Sequence, residues 1–483
     1  MSDETKSFYD KLWQIISSEK GKFFSDSQKH SYYYEELKNN ILLCCEIFHE
    51  HKQEKVAVLC DKTFLNYCSI LGILFSENIW VPMSNSSPDG RNIEIIENLE
   101  ANFIITDRVL TDPVIERAKQ LKIRVIVISE LFSRQPDENF EPQCCKNKPK
   151  DLSMIYYTSG STGLPKGVMI KNESFVNNIS NICAIIKLEK SKFIDLHDLS
   201  FVISIPIIFP CILSRSELFV ANSETDIIFP GNAIMRENVQ TVITVPSTLS
   251  RIILDKNLPS IIQSLKYVVS CGEPLSFDIL EPFLKNKKLL FFNFYGSTEV
   301  APWIFFHQCT DKTLKYRNSQ NFAPVGRLLD GNKMAINEDG MLLIKGVQIT
   351  PGYVGHKTDS HLIQHDGELW FPMQDTVDEI DGIYFCKGRM DGVLKVKGYR
   401  VHMSDIEINL KKIPGVQECI CFIVGGKINA FVFSETIRDK KTIIVNAKEM
   451  LPNYMMPSNV VIKKTMPLNK NGKVDRARIR ALI

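Results

Sequence analysis

Short apolar runs rich in β-branched and aromatic residues alternate with longer, more polar segments over the first four-fifths of the chain. The runs lie at residues 56–59, 103–106, 124–128, 239–245, 265–270 and 289–294. Between them, segments such as 35–48 and 89–99 space their apolar residues with the period of an α-helix. Alternating strands and helices are typical of parallel sheets that helices cover on both faces, so the pattern predicts an α/β fold.

The pattern changes after about residue 388. Short strands are predicted at 393–397, 419–424 and 428–433, around one helix near 404–412. Ser404 and Glu407 have the S-x-x-E spacing of a capping box, which predicts that Ser404 caps this helix. The apolar residues that follow form one stripe along the helix. A small α+β module is therefore expected at the C-terminal end.

Charge and cysteine content narrow the class of protein. The 483 residues include 58 Lys and Arg against 56 Asp and Glu, a net charge of +2. Nucleic-acid and anionic-membrane binders normally carry a basic field, so neither partner is expected. The 13 cysteines are odd in number and form no C-x-x-C pair, which favours free thiols in a reducing compartment. No signal peptide or membrane-spanning run is recognisable, so we expect a cytoplasmic protein.

The most informative stretch is Y-T-S-G-S-T-G-L-P-K-G, which spans residues 157–167. It follows an apolar run and combines small hydroxyl residues, glycines and one lysine, Lys166. Glycines let backbone N–H groups turn toward a ligand, hydroxyls donate hydrogen bonds, and the lysine adds positive charge. These residues predict a loop that binds a polyphosphate. The G-x-x-x-x-G-K-[ST] spacing of P-loop NTPases is absent, because Pro165 precedes Lys166 and Gly167 follows it.

This loop resembles the signature of the adenylate-forming superfamily, which comprises acyl-CoA synthetases, adenylation domains of non-ribosomal peptide synthetases and luciferases. The resemblance implies an α/β N-terminal domain of parallel-rich sheets covered by helices over residues 1–390. It also implies a mobile α+β lid domain over 391–483, with Asp391 at the hinge. Further segments that resemble family motifs are Y-E-E-L at 34–37, W-V-P at 80–82, N-F-Y-G-S-T-E at 293–299, G-R-M-D at 388–391, K-V-K-G-Y-R at 395–400, L-P-N-Y-M-M-P at 451–457 and N-G-K-V-D-R at 471–476.

The resemblance also implies a reaction, in which a carboxylate attacks the α-phosphate of ATP. The attacking acid is already ionised near neutral pH, so catalysis depends on positioning and positive charge. Lys473 would bridge the carboxylate and the α-phosphate, Thr298 would contact phosphate, and Glu299 would hold Mg²⁺, which prefers oxygen ligands. The other implied nucleotide-binding residues are Thr158, Ser159, Gly160, Ser161, Thr162, Gly163, Lys166, Gly272, Glu273, Asn293, Tyr295, Gly296, Asp375 and Arg389.

One of these assignments rests on a divergent segment. Relatives show Y-[RK]-T-G-D before the ribose-binding aspartate, whereas this chain has F-P-M-Q-D at 371–375. Only the aromatic residue and the acid are shared. A carboxylate remains a suitable acceptor for the two ribose hydroxyls, so Asp375 is kept as the candidate.

The acid to be activated is suggested by the segment L-H-D-L-S at 196–200, which resembles the F-D-x-S segment of amino-acid-activating relatives. There the aspartate pairs with the substrate ammonium group, and a buried carboxylate needs such a partner. A solvent-facing loop position for Asp198 stays open as the alternative. The large Phe294 and Trp303 favour a small side chain such as that of alanine or glycine. The implied substrate contacts are Asp198, Leu199, Val202, Thr248, Val269, Cys271, Phe294, Pro302 and Trp303.

Cys271 adds to this comparison, because D-alanine–carrier-protein ligases are similar at this position and at 198–200. An inert core thiol is the alternative for Cys271. The chain ends soon after residue 476, so the acceptor thiol is expected in trans, on the phosphopantetheine of a carrier protein or on coenzyme A. Two other hypotheses stay open. One is an acyl- or aryl-CoA synthetase for a non-amino acid, and the other is a non-enzymatic nucleotide-binding descendant.

Overall fold

The structure of the protein is a computed structural model, which describes residues 2–137, 140, 147–159, 164–317, 321–356, 359–390, 394–396, 399–424, 427–467 and 478–479. The helices are α1 (Ser2–Ser18), α2 (Tyr34–Phe48), α3 (Phe64–Phe75), α4 (Asp89–Leu99), α5 (Pro113–Gln120), α6 (Ile128–Leu131), α7 (Asn172–Ile186), α8 (Ser204–Leu213), α9 (Glu224–Ile228), α10 (Pro230–Arg236), α11 (Pro246–Ile253), α12 (Leu258–Ser264), α13 (Phe277–Leu284), α14 (Met403–Lys411) and α15 (Lys440–Lys448). Short 3₁₀ helices cover Thr298–Val300, Asp311–Tyr316 and Asn453–Met455.

The strands, in the same chain order, are β1 (Lys22–Asp26), β2 (Ser31–Tyr33), β3 (Lys55–Leu59), β4 (Ile79–Met83), β5 (Phe103–Thr106), β6 (Arg124–Val127), β7 (Leu152–Thr158), β8 (Lys166–Lys171), β9 (Lys192–Asp195), β10 (Glu217–Val220), β11 (Thr241–Thr244), β12 (Tyr267–Cys271), β13 (Leu290–Tyr295), β14 (Phe305–Cys309), β15 (Arg327–Leu328), β16 (Asn332–Ile336), β17 (Met341–Gly346), β18 (Ile363–His365), β19 (Glu368–Ile380), β20 (Ile383–Arg389), β21 (Leu394–Val396), β22 (Tyr399–Val401), β23 (Glu418–Val424), β24 (Lys427–Phe433) and β25 (Asn459–Lys463).

Two largely parallel sheets form the body of the protein. A nine-stranded sheet has the order β15-β14-β13-β12-β11-β9-β10-β1-β2, and its central strands from β13 to β1 are parallel. A six-stranded sheet has the order β6-β5-β3-β4-β7-β8 and is parallel except for the β7–β8 pair. The α/β fold predicted from the alternation of strands and helices is confirmed.

The largest hydrophobic core lies between these two sheets. Nearly every residue of α3 and of α8 is buried there, as expected for helices that are apolar on all faces. Trp80 of β4, Phe193 of β9 and Phe292 of β13 belong to the same core. This shared packing holds the two sheets together and so determines where their strand ends lie relative to each other.

A third sheet is entirely antiparallel, and the sequence pattern did not predict it. Its order is β16-β17-β19-β18, with β20 paired to β19. β19 carries Asp375, and β20 carries Arg389. The third sheet therefore supplies two of the candidate nucleotide-binding residues.

The residues from 399 to 467 contain a separate small core. The three-stranded sheet β23-β24-β25 packs against α14 through Ile406, Leu410 and Val432. The predicted α+β module is thus confirmed, but the predicted capping box is wrong. His402 is the N-cap residue of α14, and the Glu407 carboxylate accepts the backbone N–H of Cys421 at 2.8 Å. The Glu407 side chain, which the local spacing assigned to the helix cap, thus forms a tertiary hydrogen bond to the sheet instead.

The thiols and helices of the described residues agree with the compositional expectations. All eleven described cysteines carry free thiols, as the odd count and the spacing predicted. Within the described residues, no helix combines the length and the apolar character that crossing a bilayer requires.

Candidate active site

Several parallel strands end at residues that the motifs single out. β12 ends at Cys271, β13 at Tyr295 and β7 at Thr158, while β9 ends immediately before the 196–200 segment. Ligands of parallel sheets bind in the crevice outside the carboxyl ends of the strands. The fold therefore gathers motif residues from distant parts of the chain where strand ends of the two parallel sheets come together, beside two adjoining cavities.

The first cavity, of about 170 Å³, lies between the end of β13 and the third sheet. The Tyr295 hydroxyl donates to Asp375 Oδ2 at 2.6 Å, and Arg389 Nη1 donates to the same oxygen at 3.0 Å. Burial, with Asp375 beside it, raises the pKa of Tyr295 well above its usual value, so the hydroxyl stays a donor. The predicted site residues that line this cavity are Gly272, Glu273, Asn293, Phe294, Tyr295, Asp375 and Arg389.

Asp375 reaches this cavity despite the divergent segment around it. Gln374 adopts a φ of +62°, in the left-handed region that glycine favours, and glycine stands at this position in the family pattern. The Met390 N–H donates to the Gln374 carbonyl at 2.9 Å, and Asp375 lies opposite Arg389 in the β19–β20 ladder. The backbone thus presents the carboxylate without the glycine that relatives carry.

Two further residues of the first cavity are held by neighbouring loops. The Glu273 carboxylate accepts the Ser247 N–H at 2.8 Å and the Ser247 hydroxyl at 3.1 Å, at the start of α11. The side-chain amide of Asn293 donates to the Pro324 carbonyl at 2.9 Å. These bonds fix the walls of the cavity, because each side chain is tied to a different connecting segment.

The candidate phosphate loop connects β7 to β8 as an antiparallel hairpin. Thr158 lies opposite Lys166 in the ladder, and its hydroxyl donates to the Lys166 carbonyl at 3.4 Å. The ammonium of Lys166 lies 3.3 Å from the ring centroid of Tyr353. Residues 160–163, which the sequence placed at the centre of the loop, lie outside the described residues.

Glu299 lies in the 3₁₀ helix Thr298–Val300 and is only 2% exposed. Its Oε1 accepts the Tyr353 hydroxyl at 3.3 Å, and its carbonyl accepts the Thr350 N–H at 2.8 Å. A buried carboxylate is costly unless it is hydrogen-bonded or holds a cation. No group of three or more His, Cys, Asp or Glu side chains able to hold a metal ion occurs among the described residues.

The second cavity, of about 90 Å³, adjoins the first, because Gly272 and Arg389 line both. Thr158 and Ser159 lie at its polar side, and Trp303 lies at its apolar side. Among the described residues that line it, none is a carboxylate. The predicted substrate contacts that line it are Val202, Cys271, Pro302 and Trp303.

Phe294 and Trp303 form the wall where the two cavities meet. Phe294 lines the first cavity, and its ring centroid lies 4.4 Å from that of Trp303. The Trp303 carbonyl accepts side-chain amides from Asn178 at 2.6 Å and from Gln348 at 2.7 Å. These two hydrogen bonds fix the backbone of Trp303, and with it the position of the ring that limits the volume of the second cavity.

Three of the implied substrate contacts, Leu199, Thr248 and Val269, line neither of the two cavities. The Thr248 hydroxyl accepts from Arg251 Nη2 at 2.8 Å. Val269 lies within β12 and is fully buried in the large core, to which Leu199 also belongs. Val269 lies on the same face of β12 as Cys271 but two residues before the end of the strand, so it is buried in the core while Cys271 reaches the cavity.

Asp198 is also turned away from the second cavity. Its Oδ2 accepts the Ser84 hydroxyl at 2.6 Å, and its Oδ1 accepts the N–H and the hydroxyl of Ser200 at 2.9 and 2.6 Å. It lines an open groove instead, together with Lys62 and His197. Burial lowers the pKa of His197 to about 4, and the His197 Nε2 hydrogen-bonds with the Thr244 hydroxyl at 2.9 Å.

The C-terminal module contributes one described residue to the second cavity, Tyr454. Close to it, Arg91 Nη1 of α4 lies 3.9 Å from Asp405 Oδ2 of α14, and both side chains are buried. Burial raises the pKa of Asp405 to about 6, whereas Arg91 acts in the opposite direction. These contacts hold the module against the mouth of the cavity. Lys473 and Asp391, the predicted catalytic lysine and hinge residue, lie outside the described residues.

Sequence reasoning missed several residues of this region. Tyr353 contacts both Lys166 and Glu299, while Tyr157 and Ser200 line the second cavity. The one local signal for Tyr353 is its place after the turn-forming pair Pro351 and Gly352. Such a turn indicates a connection between strands but does not identify what the following aromatic residue touches.

Comparisons with known proteins identify the family. The family model of the AMP-binding enzymes matches residues 20–354. D-alanine–D-alanyl carrier protein ligase of Staphylococcus epidermidis is 29% identical over 433 residues, which cover 86% of each chain. Zwittermicin A synthase ZmaJ of Bacillus cereus is 27% identical over 468 residues, covering 89% of this chain and 85% of its own.

Solved structures show the same fold. The Vibrio cholerae adenylation domain AlmE, in complex with glycyl-adenosine-5'-phosphate, has a TM-score of 0.80 at 20% identity, covering 98% of this chain and 97% of its own. The o-succinylbenzoate CoA synthetase of Bacillus subtilis also has a TM-score of 0.80, at 16% identity, covering 98% of both chains. The protein therefore belongs to the family of AMP-binding enzymes and is an adenylate-forming ligase.

Proposed function

We propose that the protein uses ATP to activate a small amino acid as its aminoacyl-adenylate and then passes the aminoacyl group to a thiol. A carboxylate oxygen of the amino acid attacks the α-phosphorus, and pyrophosphate leaves with the electron pair of the broken P–O bond. The acceptor is the phosphopantetheine thiol of a carrier protein in trans, whose sulfur displaces AMP. The carrier protein ligases among the relatives support this choice.

The observation that carries the proposal is the junction of the two cavities at Gly272 and Arg389. The first cavity offers the carboxylate of Asp375 to ribose hydroxyls, beside the ring of Tyr295. The second cavity, at about 90 Å³, suits a small acid and opens toward Thr158 and Ser159. An acid and a nucleotide bound side by side would meet where adenylation requires them, as positioning accounts for most of such catalysis.

Glu299 is the proposed ligand of Mg²⁺. Its buried carboxylate suits this ion, which takes one or two carboxylates together with substrate phosphates. Bound there, the ion would neutralise phosphate charge during the displacement. Lys166 and the backbone of the phosphate loop hold the polyphosphate, and Lys473 of the lid bridges the carboxylate and the α-phosphate.

A second candidate function is the activation of a non-amino acid by an acyl- or aryl-CoA synthetase. It is favoured by the position of Asp198, which contacts Ser84 and Ser200, and by the lack of a carboxylate among the described residues lining the second cavity. Amino-acid-dependent exchange of pyrophosphate into ATP separates the two functions. Exchange with small amino acids supports the proposal, whereas exchange only with fatty or aryl acids contradicts it.

The role of Lys473 is tested by separating the half-reactions. Lys473→Ala should abolish adenylate formation, because the bridging charge is lost, and should leave thioester transfer from supplied aminoacyl-adenylate largely intact. Lys470→Ala removes the same charge three residues earlier and serves as the matched control. Equal loss of both half-reactions in the Lys473 variant would contradict the role. The free thiols of the described cysteines support a cytoplasmic location for this chemistry.

A further inference from the structure

The segment Pro351–Tyr353 lies along the outer edge of β8. It pairs with β8 on the side opposite β7, so the hairpin that carries the phosphate loop has a third paired segment. The Val354 N–H donates to the Gly167 carbonyl at 2.9 Å, and the Met169 N–H donates to the Gly352 carbonyl at 3.2 Å. These bonds flank an antiparallel bridge between Val168 and Tyr353. A Cβ at Gly167 would lie 2.9 Å from the Val354 side chain, so glycine is what allows this close approach.

This pairing determines which face of β8 Tyr353 covers. Residues 166 and 168 share a face, because side chains alternate along a strand, and Tyr353 lies directly opposite residue 168. Lys166 is therefore the diagonal neighbour of Tyr353, at a distance that long side chains can bridge. Its Nζ lies 3.3 Å from the ring centroid, within the range of a cation–π contact.

The hydroxyl of Tyr353 contacts a second charged residue, Glu299. It donates to Glu299 Oε1 at 3.3 Å, and both residues are buried. The ring itself is held from the side by His361, whose centroid lies 5.7 Å away at 85°. The His361 Nε2 in turn hydrogen-bonds with the Thr350 carbonyl at 3.1 Å. One side chain thus contacts the loop lysine with its face and the buried carboxylate with its hydroxyl.

We propose that Tyr353 is a positioning residue that orients Lys166 and Glu299 for the nucleotide and its metal ion. The ring holds a long, flexible ammonium side chain in one place, which lowers the entropy lost when phosphate binds. The hydroxyl favours one orientation of the buried Glu299 carboxylate. The two contacts can be removed independently by mutation, because the ring contacts Lys166 and the hydroxyl contacts Glu299. This inference rests on the proposed roles of Lys166 and Glu299.

The test compares Tyr353→Phe with Tyr353→Leu by calorimetric titration of ATP, with Mg²⁺ and with a chelator. Tyr353→Leu should weaken ATP binding about tenfold even without metal, because the lysine loses its cation–π partner. Tyr353→Phe should bind metal-free ATP within about twofold of wild type, since the ring remains. In the same variant, the gain in ATP affinity on adding Mg²⁺ should be several-fold smaller than in wild type, because the hydrogen bond to Glu299 is lost.

A matched control comes from Lys315 and Tyr316, whose Nζ-to-centroid distance is 4.5 Å; the lysine is exposed, and neither residue lines either cavity. Tyr316→Leu should leave ATP binding unchanged, and melting temperatures show that each variant is folded. The proposal fails if the Phe and Leu variants weaken ATP binding equally with and without Mg²⁺, or if neither differs from wild type. Because ATP binding is read without any acid present, this result stands apart from the choice of amino-acid substrate.

Discussion

The two adjoining cavities differ in what their walls are made of. In the first cavity, the carboxylate of Asp375 receives hydrogen bonds from Tyr295 and Arg389, and the side chains of Glu273 and Asn293 are likewise bonded. The apolar side of the second cavity is formed instead by the ring of Trp303, whose centroid lies 4.4 Å from that of Phe294. Every enzyme that makes an adenylate binds the same nucleotide, whereas the acid differs from one enzyme to the next.

The difference explains why the motifs describe one cavity better than the other. Six of the predicted nucleotide contacts line the first cavity, namely Gly272, Glu273, Asn293, Tyr295, Asp375 and Arg389. Of the predicted substrate contacts, Val202, Cys271, Pro302 and Trp303 line the second, whereas Asp198 faces a groove beside it. Hydrogen-bonded positions require one residue type, while apolar walls accept any side chains that fill the space.

The largest expected effect removes the centre of the polar network. Asp375→Ala leaves Tyr295 and Arg389 without their buried acceptor, so ATP affinity should fall about 100-fold. Breaking a buried ion pair should also cost about 3 kcal/mol of folding stability. Calorimetric titration with ATP and chemical denaturation measure the two effects.

The control for this change lies on the same strand. Asp378 is half-exposed and pairs with Lys387 at 3.1 Å at the surface. Asp378→Ala should alter neither affinity nor stability by more than about 0.5 kcal/mol. Equal effects of the two aspartate variants would show that the hydrogen bonds to Asp375 contribute neither to ATP binding nor to folding stability.

The apolar cavity should respond to volume instead. Trp303→Ala should cost about 3 kcal/mol of stability, because a large buried side chain is lost. Its pyrophosphate exchange should shift from small toward bulky amino acids, since the wall that limits the second cavity is removed. Trp370→Ala deletes another buried tryptophan, in the third sheet, and should lower stability without changing substrate preference. An unchanged preference in the Trp303 variant would contradict its role as that wall.

Asp198→Asn tests whether the groove-facing carboxylate acts on the acid. Asparagine keeps acceptor and donor atoms for Ser200 and Ser84 but lacks the charge that an ammonium group needs. If Asp198 pairs with the substrate, the KM for the amino acid should rise about tenfold with little change in the KM for ATP. Ser84→Ala, which removes one neighbour of Asp198, serves as the comparison. An unchanged KM in Asp198→Asn would favour the activation of a non-amino acid.

The smallest effect concerns the pH dependence of stability. Burial lowers the pKa of His197 to about 4 from its usual 6.5, so the unfolded state binds this proton more tightly than the folded state. Stability should therefore be full above pH 6.5 and fall as the pH drops toward 4. His197→Gln should make that fall smaller, as measured by denaturation across this range. His49→Gln makes the same substitution at an exposed position and serves as the comparison.

Much of the fold could be predicted because its signals are local. The alternation of strands with helices and the runs between 55 and 106 depend on residues close in sequence, and the structure has strands there with nearly the same bounds. The third sheet was missed because its register is set by neighbouring strands and contains a bulge at 376–377. The capping box was wrong because Glu407 bonds to Cys421, a tertiary partner that no spacing along the helix reveals.

By itself, the sequence determined which short segments resemble the family motifs: a glycine- and hydroxyl-rich turn, the strand end around Tyr295, and a lysine-bearing tail. The chemistry predicted for them depends on backbone groups and charges that lie next to each other along the chain. Only the tertiary structure decided that Tyr353 touches both Lys166 and Glu299, that Asp198 faces the groove, and that Trp303 limits the second cavity. Such contacts join residues far apart in the chain, and their geometry depends on how the packed sheets place the strand ends.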